Sequence, residues 1–265
     1  LLVNSTNITT PDFSWNTSVN FTAIKNKVLD LGRIDQIVTG NIQATGNTAI
    51  IKVGSPLAAY YGFEVTGIQQ AGDPNPGFPL FKDQTGEGNI TPDDQVIIGS
   101  PFPDFTYGIN NSLKYKNWGL SFFFQGVQGA DLLNVNVIES MYPSNFRRNR
   151  LTMMMDRWTP SNTGAAWPSS VDPNAYQGGK VNTLTLQDAS YLRLKNVQIS
   201  YNVPTNRIRF LSSLRIYATG QNLFTVTDYV GFDPESNSFG RNNVKADYSS
   251  YPLARVFMLG LNATF

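Results

Sequence analysis

Hydrophobic and polar residues alternate along much of this chain. Read back from the C-terminus, Phe265, Ala263, Leu261, Leu259 and Phe257 fall on one face of a strand, and Thr264, Asn262, Gly260 and Met258 fall on the other. Phe13 to Ala23 repeats the pattern: Phe13, Trp15, Val19 and Phe21 share a face with Thr17, opposite Ser14, Asn16, Ser18, Asn20 and Thr22. Its eleven residues match a tilted bilayer-spanning strand of about 9–11, whereas strands of soluble proteins centre on about 5–6. A terminal strand of a soluble β-sandwich also alternates, so no single strand decides between the two architectures.

The same period predicts a strand over Leu57 to Gly67 and a hairpin of Phe105 to Tyr115 with Trp118 to Gln128. In that hairpin Tyr115 and Trp118 flank the Lys116-Asn117 turn, where an aromatic girdle would sit. Tyr191 to Val203 carries Val197, Ile199, Tyr201 and Val203 on one face, with Arg193 and Lys195 on that face higher up, a position that suits headgroups rather than hydrocarbon. In Leu214 to Leu223, Leu214, Ile216 and Ala218 oppose Arg215, Tyr217, Thr219 and Gln221. Lys25 to Gly54 has no clean period and reads as a turn with an insertion or an extra hairpin. Asn149 to Trp158 reads as a short helix within a loop.

Connection lengths then separate the architectures. Counted back from the end they run long (224–252), short (204–212), long (129–190), short (116–117) and long (69–104). Membrane β-barrels place long loops on one side and short turns on the other. The expected fold is therefore all-β: part of a large antiparallel transmembrane β-barrel with long extracellular loops. Seven such strands leave open edges, so further strands are expected upstream of residue 1.

Composition narrows the chemistry. Charged residues are 15% of the chain, against about 25% in typical soluble domains. With 20 Lys+Arg and 19 Asp+Glu, nothing global points to nucleic acid. Cys and His are both absent. Disulfides, thiol chemistry, His-based triads and His metal sites are therefore excluded. No acidic pair stands out as a glycosidase pair, and no catalytic residue is assigned. No apolar run reaches the ~18 residues of a membrane helix.

Several ordered segments carry a resemblance: FSWNTSVNFTAIKNKV at 13–28, YYGFEVTGIQQ at 60–70, KDQTGEGNITPDD at 82–94, IGSPFPDFTYGINNSLKYKNWGLSFFFQGVQG at 98–129, DASYLRLKNVQISYNVP at 188–204, RIYATGQNLFTVTDYVGFDPE at 215–235 and the closing strand. Through them the chain resembles the C-terminal part of the SusC/RagA-like TonB-dependent outer-membrane proteins of Bacteroidetes. That resemblance implies a large barrel in the outer membrane, with plug, TonB-contacting segment and signal peptide N-terminal to residue 1. It implies an importer, not an enzyme, for an oligosaccharide or peptide. A SusD-like surface lipoprotein would act as lid, TonB would supply energy, and lipopolysaccharide would surround the wall. The alternatives are a scaffold or secretion subunit built on the same barrel, or a secreted β-rich carbohydrate-binding module.

Three sets of candidate site residues follow. Phe257, Leu259, Leu261 and Phe265 are expected to face lipid. Asp83, Thr85, Glu87, Asn89, Thr91 and Asp94 fall on the oxygen-ligand positions of an EF-hand-type Ca²⁺ loop, with Gly88 at the turn. The family commonly has Asp-x-Asn-Gly-Asp-Gly there, so Thr85 and Glu87 depart from it, and Asp94 is shorter than the usual Glu. Arg147, Arg148, Trp158, Trp167 and Tyr176 in the longest loop are candidates for contact with a ligand or partner.

Overall fold

The structure is a computed structural model that describes residues 1–42, 45–141, 149–169, 181–206, 210–238 and 244–265. The chain opens with a hairpin of β1 (Leu2–Thr9) and β2 (Phe13–Thr22). A long connection carries β3 (Gln36–Thr39), β4 (Ala49–Lys52), β5 (Ala59–Gly62), β6 (Val65–Ile68), β7 (Pro79–Phe81) and β8 (Val96–Gly99). A second hairpin joins β9 (Phe105–Tyr115) to β10 (Trp118–Gln128). The next connection holds β11 (Asp131–Asn134), helix α1 (Val135–Met141), a 3-10 turn at Thr152–Asp156 and β12 (Leu186–Asp188). Then come β13 (Tyr191–Val203), β14 (Ser213–Val226), β15 (Ala246–Asp247) and β16 (Val256–Thr264).

Seven strands form one antiparallel wall in the order β1-β2-β9-β10-β13-β14-β16. Phe13 pairs with Tyr115, and Trp118 pairs with both Tyr115 and Tyr201. The short connections 10–12, 116–117 and 204–212 therefore share one edge of the wall. The long ones, 23–104, 129–190 and 227–255, leave from the other. Tyr115, Trp118 and Tyr201 stand level at the turn edge, and the Trp118 and Tyr201 rings lie 4.8 Å apart, as a girdle requires.

The wall has one apolar and one polar face. Cross-strand register puts Leu113, Leu120, Ile199, Ile216 and Leu261 along the apolar face, and Ser112, Ser121, Gln198 and Thr219 along the polar one. The closing strand keeps its expected orientation: Leu259 is 88% and Phe257 76% exposed on the apolar face. Asn111 is a polar intruder there. It is buried and accepts hydrogen bonds from Trp15 Nε1 at 2.9 Å and Thr17 Oγ1 at 2.7 Å. Asn7 Nδ2 donates in turn to Thr17 Oγ1. Linked in this way, these groups do not face hydrocarbon unsatisfied.

The wall differs from the sequence expectation in two members. Leu57 to Gly67 is not a wall strand: it splits into β5, which pairs with β4 and β8, and β6, which pairs with β7. Ala59, Tyr60, Gly62 and Phe63 are all buried, so this segment feeds a loop core rather than alternating between lipid and lumen. Its place in the wall belongs to β1. That strand hides in sequence because its alternation slips at a bulge around Asn7 and its residues are largely Asn, Ser and Thr. The irregular stretch Lys25 to Gly54 contains a true hairpin, β3 with β4. Within Asn149 to Trp158 the helix is only the 3-10 turn, while α1, not foreseen, lies earlier in the same connection.

The long connections fold together. Tyr60 from the first, Leu133, Ile138 and Met141 from the second, and Val244 and Ala246 from the third share one buried cluster. β11 pairs in parallel with β15, and the Tyr60 hydroxyl donates to the Lys245 carbonyl. Burying each large side chain contributes about 1.5–3 kcal/mol, enough to fuse the loops into one rim at the top of the wall.

Candidate functional site

The rim is fastened to the wall by ions. β13 skips Lys195 in its pairing with β10, and β14 skips Asn222 and Leu223 opposite. A bulge of one residue moves every side chain beyond it to the other face. Leu194 therefore takes the apolar face above the bulge, and Arg193 turns to the polar face instead of lying among headgroups. Arg193 is 3% exposed. It donates to Asp233 Oδ1 at 2.7 Å, Glu235 Oε2 at 2.6 Å and Thr225 Oγ1 at 2.7 Å. Lys195 Nζ reaches the same Glu235 oxygen at 2.6 Å, and the Tyr191 hydroxyl donates to Glu235 Oε1 at 2.7 Å. Burial opposes the charge on Asp233, but the hydrogen bonds from Arg193 and from the Glu235 and Leu253 amides outweigh it and hold the carboxyl below its usual range.

The aromatic residues proposed as ligand contacts have structural tasks. Trp158 is 6% exposed, and its Nε1 donates to Gln70 Oε1 at 3.1 Å, locking the second connection to the first. Gly77, at φ +86°, leaves room for that ring: a Cβ there would come within 2.5 Å of it. Trp167 is partly buried against the shared core, and its carbonyl accepts from the Trp158 amide at 2.7 Å. Trp158 is too buried to offer a free face to a sugar, and Trp167 is partly exposed. Arg147, Arg148 and Tyr176 lie outside the described residues.

The loop at 82–94 is built around two carboxylates. Asp94 is fully buried. Its Oδ1 accepts from the Gln84 amide at 2.8 Å, the Thr85 amide at 3.0 Å and Thr85 Oγ1 at 3.1 Å. Its Oδ2 accepts from the Thr91 amide at 2.7 Å. Asp83 accepts from the Gly86 and Gly88 amides at 2.6 and 2.7 Å. A carboxylate has about four acceptor positions, and those of Asp94 are taken by donors. Glu87 and Asn89 point to solvent. Of the residues expected to bind calcium, Asp83 and Asp94 accept hydrogen bonds from the loop's own N–H and O–H groups in this structure.

The Thr91 amide, then the Thr85 amide, pull the Asp94 pKa far below its ordinary value. The contribution of Asp94 is complete above the usual aspartate value of about 3.9. It is lost as pH falls through the depressed one. At neutral pH, Asp94→Asn is expected to speed cleavage at exposed Glu87 by a glutamyl endopeptidase, and a chelator is expected to leave it unchanged. Faster cleavage with chelator alone supports the metal reading.

No family model matches the chain. Curated relatives match it end to end. The TonB-dependent receptor P3 of Formosa agariphila is 37% identical over 287 residues, covering 99% of this chain and 28% of that protein. The TonB-dependent receptor SusC of Bacteroides thetaiotaomicron is 29% identical over 99% of this chain and 26% of its own length. The fold aligns over 100% of the chain and 28% of a chain in the RagAB peptide transporter, with a TM-score of 0.81 at 23% identity. The chain belongs with the SusC/RagA-like TonB-dependent receptors. It spans little more than a quarter of the length of the relatives it matches. As a SusC/RagA-like chain it is an outer-membrane protein of a receptor family. An apolar face of this kind suits lipid, and the polar face suits the interior of a barrel.

Proposed function

We propose that the whole receptor imports an oligosaccharide or peptide across the outer membrane. In this reading a SusD-like lipoprotein closes over the rim, and TonB supplies the work. The observation that carries it is the division of the wall. One edge bears only short turns, while the other sends out three long connections that share a core and are clamped through Arg193 to Asp233 and Glu235. A rigid rim of that kind suits a lid that docks and lifts. The outer edges of β1 and β16 carry unpaired backbone groups that hydrocarbon does not tolerate, so the reading includes further strands of the same barrel. The apolar face disfavours a secreted binding module.

The test is purification of the native complex in detergent, together with growth after deletion of the gene on single glycan or peptide carbon sources. A co-purifying surface lipoprotein and loss of growth on one such source are expected. Unchanged growth on all of them, with assembly or secretion factors as the partners, overturns import in favour of a scaffold.

A further inference from the structure

The apolar row of the closing strand ends in a cation. Arg255 stands two residues before Phe257, in step with Leu261, Leu259 and Phe257 and toward the rim. It lies four residues from Leu259, about 14 Å along an extended chain at about 3.4 Å per residue. The hydrocarbon of a bilayer is about 15 Å from its middle to its edge. With Leu259 midway along β16, Arg255 reaches the level where headgroups begin, and an arginine there extends its guanidinium into them. Arg255 is exposed, and its guanidinium has no ion pair among the described residues. The cation at the turn edge differs: Lys116 Nζ has Asp12 Oδ2 at 4.0 Å and lies over the Tyr115 ring.

The backbone that carries Arg255 is held from two directions. The Leu253 amide donates to Asp233 Oδ2 at 3.1 Å, and Asn222 Nδ2 donates to the Ala254 carbonyl at 3.1 Å. Asn222 is one of the residues that β14 skips, and it sits at φ +52°, a left-handed conformation that Asn tolerates better than most residues. Pairing of β14 with β16 stops at Gln221 and Val256. Beyond that point a cavity of about 380 Å³ borders β14. At its buried end lie Arg193 and Asp233, whose charges are already matched in the clamp. At its mouth lie Phe224, Phe232, Leu253 and Arg255, and Phe232 is 69% exposed. Phe224 stands on the apolar face, paired with Leu194 and edge-on to Phe124 at 6.1 Å.

The mouth thus joins apolar and aromatic surface to one uncompensated guanidinium at headgroup level. A guanidinium offers a phosphate two parallel donors. The aromatic rings suit the glycerol and the first methylenes of a lipid, which a free anion lacks. We propose that this cavity holds one phosphate-bearing lipid of the outer leaflet, with its phosphate on Arg255 and its glycerol region against Phe224 and Phe232. The proposal rests on the apolar face meeting lipid, not on what the barrel imports.

Photocrosslinking tests it on the full-length receptor in vesicles of phosphatidylcholine and phosphatidylglycerol in a four-to-one ratio. Phe232→benzoylphenylalanine probes the mouth, and Leu261→benzoylphenylalanine probes the apolar face far from it. Mass spectrometry identifies what each has captured. At 261 the lipid adducts are expected to follow the bilayer composition. At 232 they are expected to be several-fold enriched in phosphatidylglycerol. Arg255→Gln removes that enrichment and leaves the adducts at 261 unchanged, while Arg255→Lys keeps part of it. Absence of lipid adducts at 261 overturns the lipid-facing wall, and the proposal with it. Lipid adducts at 261 with only protein adducts at 232, with no enrichment there, or with enrichment that survives Arg255→Gln overturn the site alone.

Discussion

Replacing Arg193 with Met is expected to cost the folded barrel about 3–5 kcal/mol, the range for removing one partner of a buried ion pair. Asp233 and Glu235 keep their charge and lose the guanidinium that two of their oxygens face. Lys195 still reaches Glu235, but nothing replaces the bond to Asp233. Arg193→Lys is expected to recover only part of the loss, because an ammonium cannot span Asp233, Glu235 and Thr225 in one plane. Removing the carboxylates as well, in Arg193→Met with Asp233→Asn and Glu235→Gln, should be milder than Arg193→Met alone. The measurement is the temperature at which the detergent-solubilised receptor loses its compact, heat-modifiable mobility on gels. A single Met variant as stable as the wild type would mean that the clamp does not hold the rim.

That clamp also marks where the sequence stops being legible. Alternation alone locates β2, β9, β10, β13, β14 and β16, because each keeps apolar residues on one face over a length suited to a bilayer. Loop lengths then orient the sheet. Alternation cannot show a bulge: nothing local distinguishes Lys195 from its neighbours, yet skipping it reverses Arg193. A better signal was available in the charges. A cation that is buried in strands so poor in charge needs a partner, and Asp233 and Glu235, two residues apart in the third connection, are suitable partners. β1 fails the alternation test because Ser5 and Asn7 are satisfied by side chains on its own edge of the wall, a matter of tertiary contact. Leu57 to Gly67 passes the test by coincidence, since a buried loop strand is also apolar. At Asp83 to Asp94 the spacing of oxygens is readable, but the partner that fills each lone pair is set by how the loop closes.

Leu259→Arg is expected to cost about 2–4 kcal/mol, as a cation on the lipid face near the middle of a spanning strand does. Met258→Arg, one residue away, is expected to stay within about 0.5 kcal/mol. Leu259 sits midway along β16, paired with Ala218, and its side chain is bare on the apolar face. Met258 pairs with Thr219 on the polar face, where a long cationic side chain finds water or polar neighbours. The two variants have the same new side chain, the same change in net charge and nearly the same depth. Only the face differs, so the difference between them isolates the lipid contact from any general cost of charge in β16. Assembly yield and the heat-modifiable gel shift report it. Equal losses would mean that Phe257, Leu259 and Leu261 do not face hydrocarbon, and the wall would then have to be covered by protein on its apolar side.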